Sequence, residues 1–128
     1  MGTVALARRT QAPPSMFERA DFRSAAVFTG AKFASHAWFP AAQFRDRAEF
    51  GKARFARRGV FVDARFAENV YFNDAEFTEE AGFREVRFAG AFTRFGRATL
   101  ARADFRAAEF GPNTDFTETR FTETPRST

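Results

Sequence analysis

Residues 31–66 read AKFASHAWFPAAQFRDRAEFGKARFARRGVFVDARF, and Phe33, Phe39, Phe44, Phe50, Phe55, Phe61 and Phe66 divide this stretch in alternating steps of six and five residues. Two positions before each ring stands a small residue: Ala31, Ala37, Ala42, Ala48, Ala53, Gly59 and Ala64. The unit is small-x-Phe. It extends upstream through Phe17, Phe22 and Phe28 and downstream through Phe72, Phe77, Phe83 and Phe88. Self-similarity at a fixed period is the signature of a stacked architecture, in which each unit buries its apolar face against its neighbours.

In an extended strand, residues two apart share a face, so the small residue and the Phe of one unit both point inward. Steps of five and six mix odd and even positions, so an unbroken strand would throw successive rings to opposite sides. The chain therefore bends between units. An amphipathic helix is the competing reading, since eleven residues approximate three helical turns. A five-residue step, however, advances a helix by only about 140° and would split the rings into two stripes. Gly30, Gly51, Gly90, Gly96 and Gly111, with Pro40 and Pro112, fall in the expected corners, where permissive dihedrals are useful.

Four corners close a square, with a coil of roughly 22 residues. The first file of rings is then Phe17, Phe39, Phe61, Phe83 and Phe105, and the second Phe22, Phe44, Phe66, Phe88 and Phe110. The third is Phe28, Phe50, Phe72, Phe95 and Phe116, and the fourth Phe33, Phe55, Phe77, Leu100 and Phe121. Each coil pairs with the next in a parallel ladder about 4.8 Å away.

This pattern resembles the pentapeptide-repeat proteins, whose motif places a small residue, usually Ala, two positions before a central Leu or Phe. The likeness runs from Ser15 to Phe121. It departs from the strict motif in the sixth residue of alternate units, and the acidic residue favoured before the central position survives mainly as Asp21, Asp104 and Asp115. The resemblance implies an all-β fold, a right-handed quadrilateral parallel β-helix of about five coils. Residues 15–121 would form the solenoid, residues 1–14 a capping segment across the first coil, and residues 122–128 a polar tail.

Composition agrees with a one-residue core. Phe occurs 20 times among 128 residues, Leu only at 6 and 100, and cysteine is absent, which excludes disulfides and thiolate metal sites. No apolar run approaches the roughly 20 residues needed to cross a bilayer. The expected location is the cytoplasm. Sixteen acidic residues are interspersed among 20 basic ones, so the formal charge of +4 does not mark a segregated basic tract.

The repeat slips once. Regular spacing calls for rings at 94 and 99, but these are Arg94 and Thr99, and the apolar residues stand one place later at Phe95 and Leu100. A five-residue step to Phe105 restores the coil length, so a local bulge with Phe92 as an extra apolar residue is expected.

The outward positions carry the functional clues. On the first side Trp38, Pro40, Val60 and Val62, next to Met16, form an apolar set that fits a protein-association surface. On the second side Arg23 and Arg45 in one column, and Arg65 and Arg87 in the adjacent one, stand at 22-residue spacings and could meet phosphates, with Asp21, Asp46 and Glu68 close enough to neutralise them. The single histidine, His36, sits at a corner where solvent exposure is expected, and no Ser-His-Asp set assembles around it. A square prism filled with rings offers no cleft to shift a carboxylate's pKa.

The expected role is a non-enzymatic scaffold or protein-interaction module, without cofactor or metal, that binds another protein or associates with itself. Two alternatives remain at this stage. Some pentapeptide-repeat proteins mimic duplex DNA and bind type II topoisomerases, which the resemblance admits although this chain is basic. Direct nucleic-acid binding through the arginine-bearing side is the other. The inward assignment itself is testable: Ala64→Leu should lower the melting temperature more than Arg65→Leu, and equal melting temperatures would contradict it.

Overall fold

The computed structural model describes Val4–Ala5 and residues 15–123. These residues contain no helix; nineteen strands of two or three residues assemble into four parallel sheets. On the first side Ser15–Met16, Ala37–Trp38, Arg58–Val60 and Glu80–Gly82 run side by side, and Asp104 bridges to Gly82. Asp21–Phe22, Gln43–Phe44, Arg65–Phe66 and Arg87–Phe88 form the second side. The third runs from Val4–Ala5 through Ala26–Val27, Ala48–Glu49, Val70–Tyr71 and Phe92–Arg94 to Asn113–Asp115. Lys32–Phe33, Arg54–Phe55, Glu76–Phe77, Thr99–Leu100 and Arg120–Phe121 form the fourth.

The chain is thus a β-solenoid of about five turns, with sheet partners one coil apart, as in Phe22↔Phe44↔Phe66↔Phe88. Of the expected capping segment, Val4 and Ala5 pair with Ala26 and Val27 and add one rung to the third side. The rest of residues 1–14 lies outside the described residues, as do residues 124–128 of the tail.

The rings stack as the files require. Phe17 lies 4.7 Å from Phe39 with planes 10° apart, and Phe39 lies 4.7 Å from Phe61 at 7°. The small residues are fully buried beside them, Ala31, Ala37, Ala42, Ala53 and Ala64 all at 0 % exposure. Gly59 has a packing reason of its own: a Cβ there would stand 2.6 Å from the Phe77 ring. Phe77 and Phe55 form the closest stack of the fourth file, 4.2 Å.

The four files are not equivalent. Rings of the first and third files, on opposite sides, meet edge to face across the axis, as in Phe28–Phe39 at 5.6 Å and 85° and Phe61–Phe72 at 5.5 Å and 83°. Second-file rings touch the third file edge to face, and fourth-file rings touch the first in the same way. Two files therefore fill the axis and two wedge beside it, an arrangement that suits the quadrupole of each ring.

The five-residue steps form one repeated turn. In ten of the eleven, the N–H three residues after the ring donates back to the ring residue's carbonyl, as Ala20 does to Phe17 and Ala31 to Phe28, both at 3.0 Å. The third turn residue has positive φ, which makes these type II turns. Only one of the ten is glycine, Gly30; the others are Arg19, Ala41, Lys52, Asp63, Asp74, Glu85, Arg97, Ala107 and Glu118. The left-handed conformation costs an L-residue about 1–2 kcal/mol. What offsets it is visible in the ladder. The N–H of the left-handed residue points along the tower and donates to the next coil, as in Arg19 to Pro40, Ala41 to Val62 and Lys52 to Asn73, each 2.8 Å.

This corrects the sequence-based reading of the corner glycines. Gly51, Gly90, Gly96 and Gly111 do not have positive φ. Gly90 and Gly111 are needed for close approach instead: a Cβ on Gly90 would stand 2.2 Å from the Glu68 carbonyl carbon, and one on Gly111 would stand 2.9 Å from the Gly90 oxygen.

The slip is a bulge at the corner between the second and third sides. Val70 pairs with Thr93 and Tyr71 with Arg94, one residue beyond the usual offset, and Thr93 replaces the small inward residue at 1 % exposure. The Phe92 N–H donates to Asn69 Oδ1 at 2.9 Å, while Asn69 Nδ2 donates to the Tyr71 hydroxyl at 3.1 Å. Phe92 lies outside, under the Arg94 guanidinium at 4.7 Å. The missing residue is taken up before Phe105, where Arg102 adopts positive φ to turn a shortened corner.

Two substitutions separate the conformational and steric roles of these corners. Ala41→Gly should raise stability by roughly 0.5–1 kcal/mol, since the backbone strain it relieves exceeds the entropy glycine adds to the unfolded chain. Gly90→Ala should lower it, because backbone and not a flexible side chain fills the space. Chemical denaturation reads both, and two changes of the same sign would reject the assignment.

Candidate interaction surfaces

On the first side the outward residues form a vertical file, Met16, Trp38, Val60 and Gly82, paired in register. Met16 is 63 % exposed and Val60 only 6 %, so Met16 and the half-buried Trp38, Pro40 and Val62 supply the apolar surface, with Val60 beneath it. A polar frame borders this surface. Arg58 Cζ lies 5.1 Å above the Trp38 ring, and Arg58 Nε donates to Glu80 Oε1 at 2.9 Å. The His36 ring lies 5.6 Å from Trp38, and His36 Nδ1 accepts the Arg58 backbone N–H at 3.3 Å. His36, expected in solvent, is half-buried against this frame.

The sequence reading picked out Trp38 and its apolar neighbours but not this frame. Its signal was present: His36, Arg58 and Glu80 stand 22 residues apart, which the coil places one above the other. Nothing in the residue types announced that a guanidinium would lie over the indole, where cation–π attraction adds about 0.5–1 kcal/mol at an exposed site.

The second side brings Arg65 and Arg87 into one file, next to each other in the sheet, and places Arg23 and Arg45 beyond the strands Asp21–Phe22 and Gln43–Phe44. Three of the four are paired with carboxylates. Asp21 accepts from Arg45 at 2.6 Å and from Arg23 at 3.3 Å, and Arg87 meets Glu109 at 3.3 Å. Arg65 has no ion pair among the described residues. Asp21 and Glu109 bound the file of Gln43, Arg65 and Arg87 at its two ends, so no positive stripe runs the length of the side.

The corner between the fourth and first sides repeats this neutralisation from coil to coil. Arg54, Arg57 and Arg58 lie directly above Glu76, Glu79 and Glu80, with pairs at 3.2, 3.1 and 2.9 Å. Each is an exposed pair of small worth, but a slip of one coil would break all three at once.

Two shallow depressions open on the surface. One is lined by Lys32, Phe33, Ala34, Arg54, Ala56 and Thr78, the other by Arg97, Thr99, Glu118, Thr119 and Arg120. No group of three metal-ligating side chains occurs among the described residues, and no helix among them is long and apolar enough to cross a membrane.

Fold and surface together define a parallel β-solenoid whose four inward files consist of phenylalanine except at Leu100, with coils about 22 residues apart. No family model, curated protein or solved structure matches the chain.

Three aspartates on the outer surface are held below the ordinary carboxylate range by hydrogen bonds to the charged form. Arg45 does this for Asp21, Arg97 for Asp74, and Thr117 for Asp115 through both hydroxyl and backbone N–H. Because the folded-state values are lowered, this stabilisation is complete above the unfolded aspartate value of about 3.9 and is lost as pH falls through the folded values. The three groups should leave the melting temperature unchanged between roughly pH 5 and 8 and depress it below about pH 4. In Asp21→Asn/Asp74→Asn/Asp115→Asn the acid limb of a thermal-melt series should be shallower; an unchanged limb would contradict the assignment.

Proposed function

We propose that this chain is a non-enzymatic scaffold and protein-interaction module of the pentapeptide-repeat type, acting in the cytoplasm through its outer faces. The observation that carries the reading is the filled axis. Every ring from Phe28 to Phe88 in the four files is at most 2 % exposed, so the interior is spent on stacking and the outside on display. The 22-residue coil with a ring on each side is consistent with pentapeptide-repeat proteins.

The docking surface in this reading is the first side. Trp38 offers a rigid amphipathic ring, Met16 a flexible apolar thioether chain, and Arg58 and Glu80 a charged rim around them. Topoisomerase binding by duplex mimicry and direct nucleic-acid binding gain no support from the second side, where Asp21 and Glu109 pair with three of the four arginines.

The test compares three immobilised proteins in a lysate of the native host: wild type, Trp38→Arg and Arg65→Glu. At least one protein should be retained by wild type and by Arg65→Glu and lost with Trp38→Arg. Equal retention by all three would reject the first side as the docking surface. Loss only with Arg65→Glu, together with loss of wild-type retention after nuclease treatment, would instead favour nucleic acid.

A further inference from the structure

The outward file of the first side falls in height from coil to coil. Met16 is 63 % exposed and Trp38 half-buried, whereas Val60 is 6 % exposed and Gly82 has no side chain. The two upper members project and the two lower ones are recessed. At the corner with the second side the charges invert over the same distance. Glu18 and Arg19 hold in the first coil the positions that Arg84 and Glu85 hold in the fourth, joined by the ladder steps Arg19 to Pro40, Ala41 to Val62 and Asp63 to Arg84. All four are exposed, and none has an ion pair among the described residues. The charges of the neighbouring corner, by contrast, are compensated within the chain, as Arg57 is by Glu79.

We infer that the first side is the interface of an antiparallel dimer of this chain. The inference rests on the first side as the docking surface and names its occupant as a second copy. Shape and charge select the same geometry. A two-fold axis parallel to the strands, midway between Ala37–Trp38 and Arg58–Val60, lays the second coil of one protomer on the third of its partner and the first on the fourth. Trp38 then covers Val60 of the partner subunit, Pro40 meets Val62 of the partner subunit, and Met16 enters the space over Gly82 of the partner subunit. The rim is complementary in the same alignment. Glu18 faces Arg84 of the partner subunit, and Arg19 faces Glu85 of the partner subunit. The contact is isologous, so each pair occurs twice and the assembly closes at two chains.

A two-fold axis along the tower fails on shape. It sets Met16 on Met16 of the partner subunit and Trp38 on Trp38 of the partner subunit, and leaves the recessed Val60 and Gly82 facing their own copies across a gap. The antiparallel contact also brings no uncompensated charge onto the apolar centre, because Arg58, which lies over Trp38, keeps Glu80 at 2.9 Å. The face is four rungs of about 4.8 Å high and about five residues of about 3.3 Å wide. That is small for a permanent assembly, so dissociation in the micromolar range is expected.

Sedimentation velocity on the full chain, with circular dichroism to confirm folding, tests this. Wild type should pass from one chain to two across the micromolar range, and Trp38→Arg should remain single. Arg84→Glu, an exposed change outside the apolar patch, should weaken the dimer roughly tenfold, since symmetry places the like-charge contact with Glu18 twice. Glu18→Arg/Arg84→Glu should restore it. A wild type that stays single up to about 100 µM, a mass that keeps growing with concentration, or a dimer indifferent to Arg84→Glu would each overturn the inference. If a host protein is nevertheless retained by wild type and lost with Trp38→Arg, the first side remains a docking surface and only the second copy is rejected as its occupant.

Discussion

A ring must lie over a ring one coil away, and the spacing of parallel strands decides how. Neighbouring strands stand about 4.8 Å apart. Stacked centroids run from 4.2 Å at Phe55–Phe77 to 5.4 Å at Phe66–Phe88, so ring and backbone spacings agree without either being stretched. Every other regularity follows from this match. Coil length has to return each ring to its file, which is why the extra residue near Phe92 is cancelled before Phe105 and not tolerated downstream. Beside each ring only Ala, Gly, Val or Thr fits, because opposite files already meet edge to face on the axis.

The backbone bears the cost of that geometry at the corners. Nine side-chain-bearing residues hold a left-handed conformation at the five-residue turns, and most of them hand an N–H to the coil below. The corner is thereby part of the ladder. Because the turn residues' side chains project outward, their identity is free to vary, and the chain uses that freedom for arginine, lysine, aspartate and glutamate. Vertical neighbours such as Asp74 and Arg97 convert it into coil-to-coil pairing. A closed interior and variable outer faces are compatible with a structural or interaction module.

Much of this was legible in the chain. The four files were readable from Phe17 to Phe121, and so was the register shift, from the positions of Phe95 and Leu100 alone. The surface was legible only as columns. Periodicity places Val60 in the same outward file as Trp38 but cannot show that Val60 would be 6 % exposed while Met16 stays at 63 %, since that depends on the reach of neighbouring side chains. His36 looked like a solvated corner residue, yet its ring turns toward Trp38 and accepts the Arg58 N–H. The glycines misled for a related reason. Glycine is as useful for close approach as for positive φ, and composition does not distinguish the two uses.

The sequence by itself determined the architecture, because a strict spacing of one large ring and one small residue leaves a stacked square coil as the arrangement that buries them all. Only the tertiary structure decided which files meet on the axis and which turn residues carry the strain. Those outcomes depend on contacts between coils, and a one-dimensional period records that coils are neighbours without recording how their side chains lean.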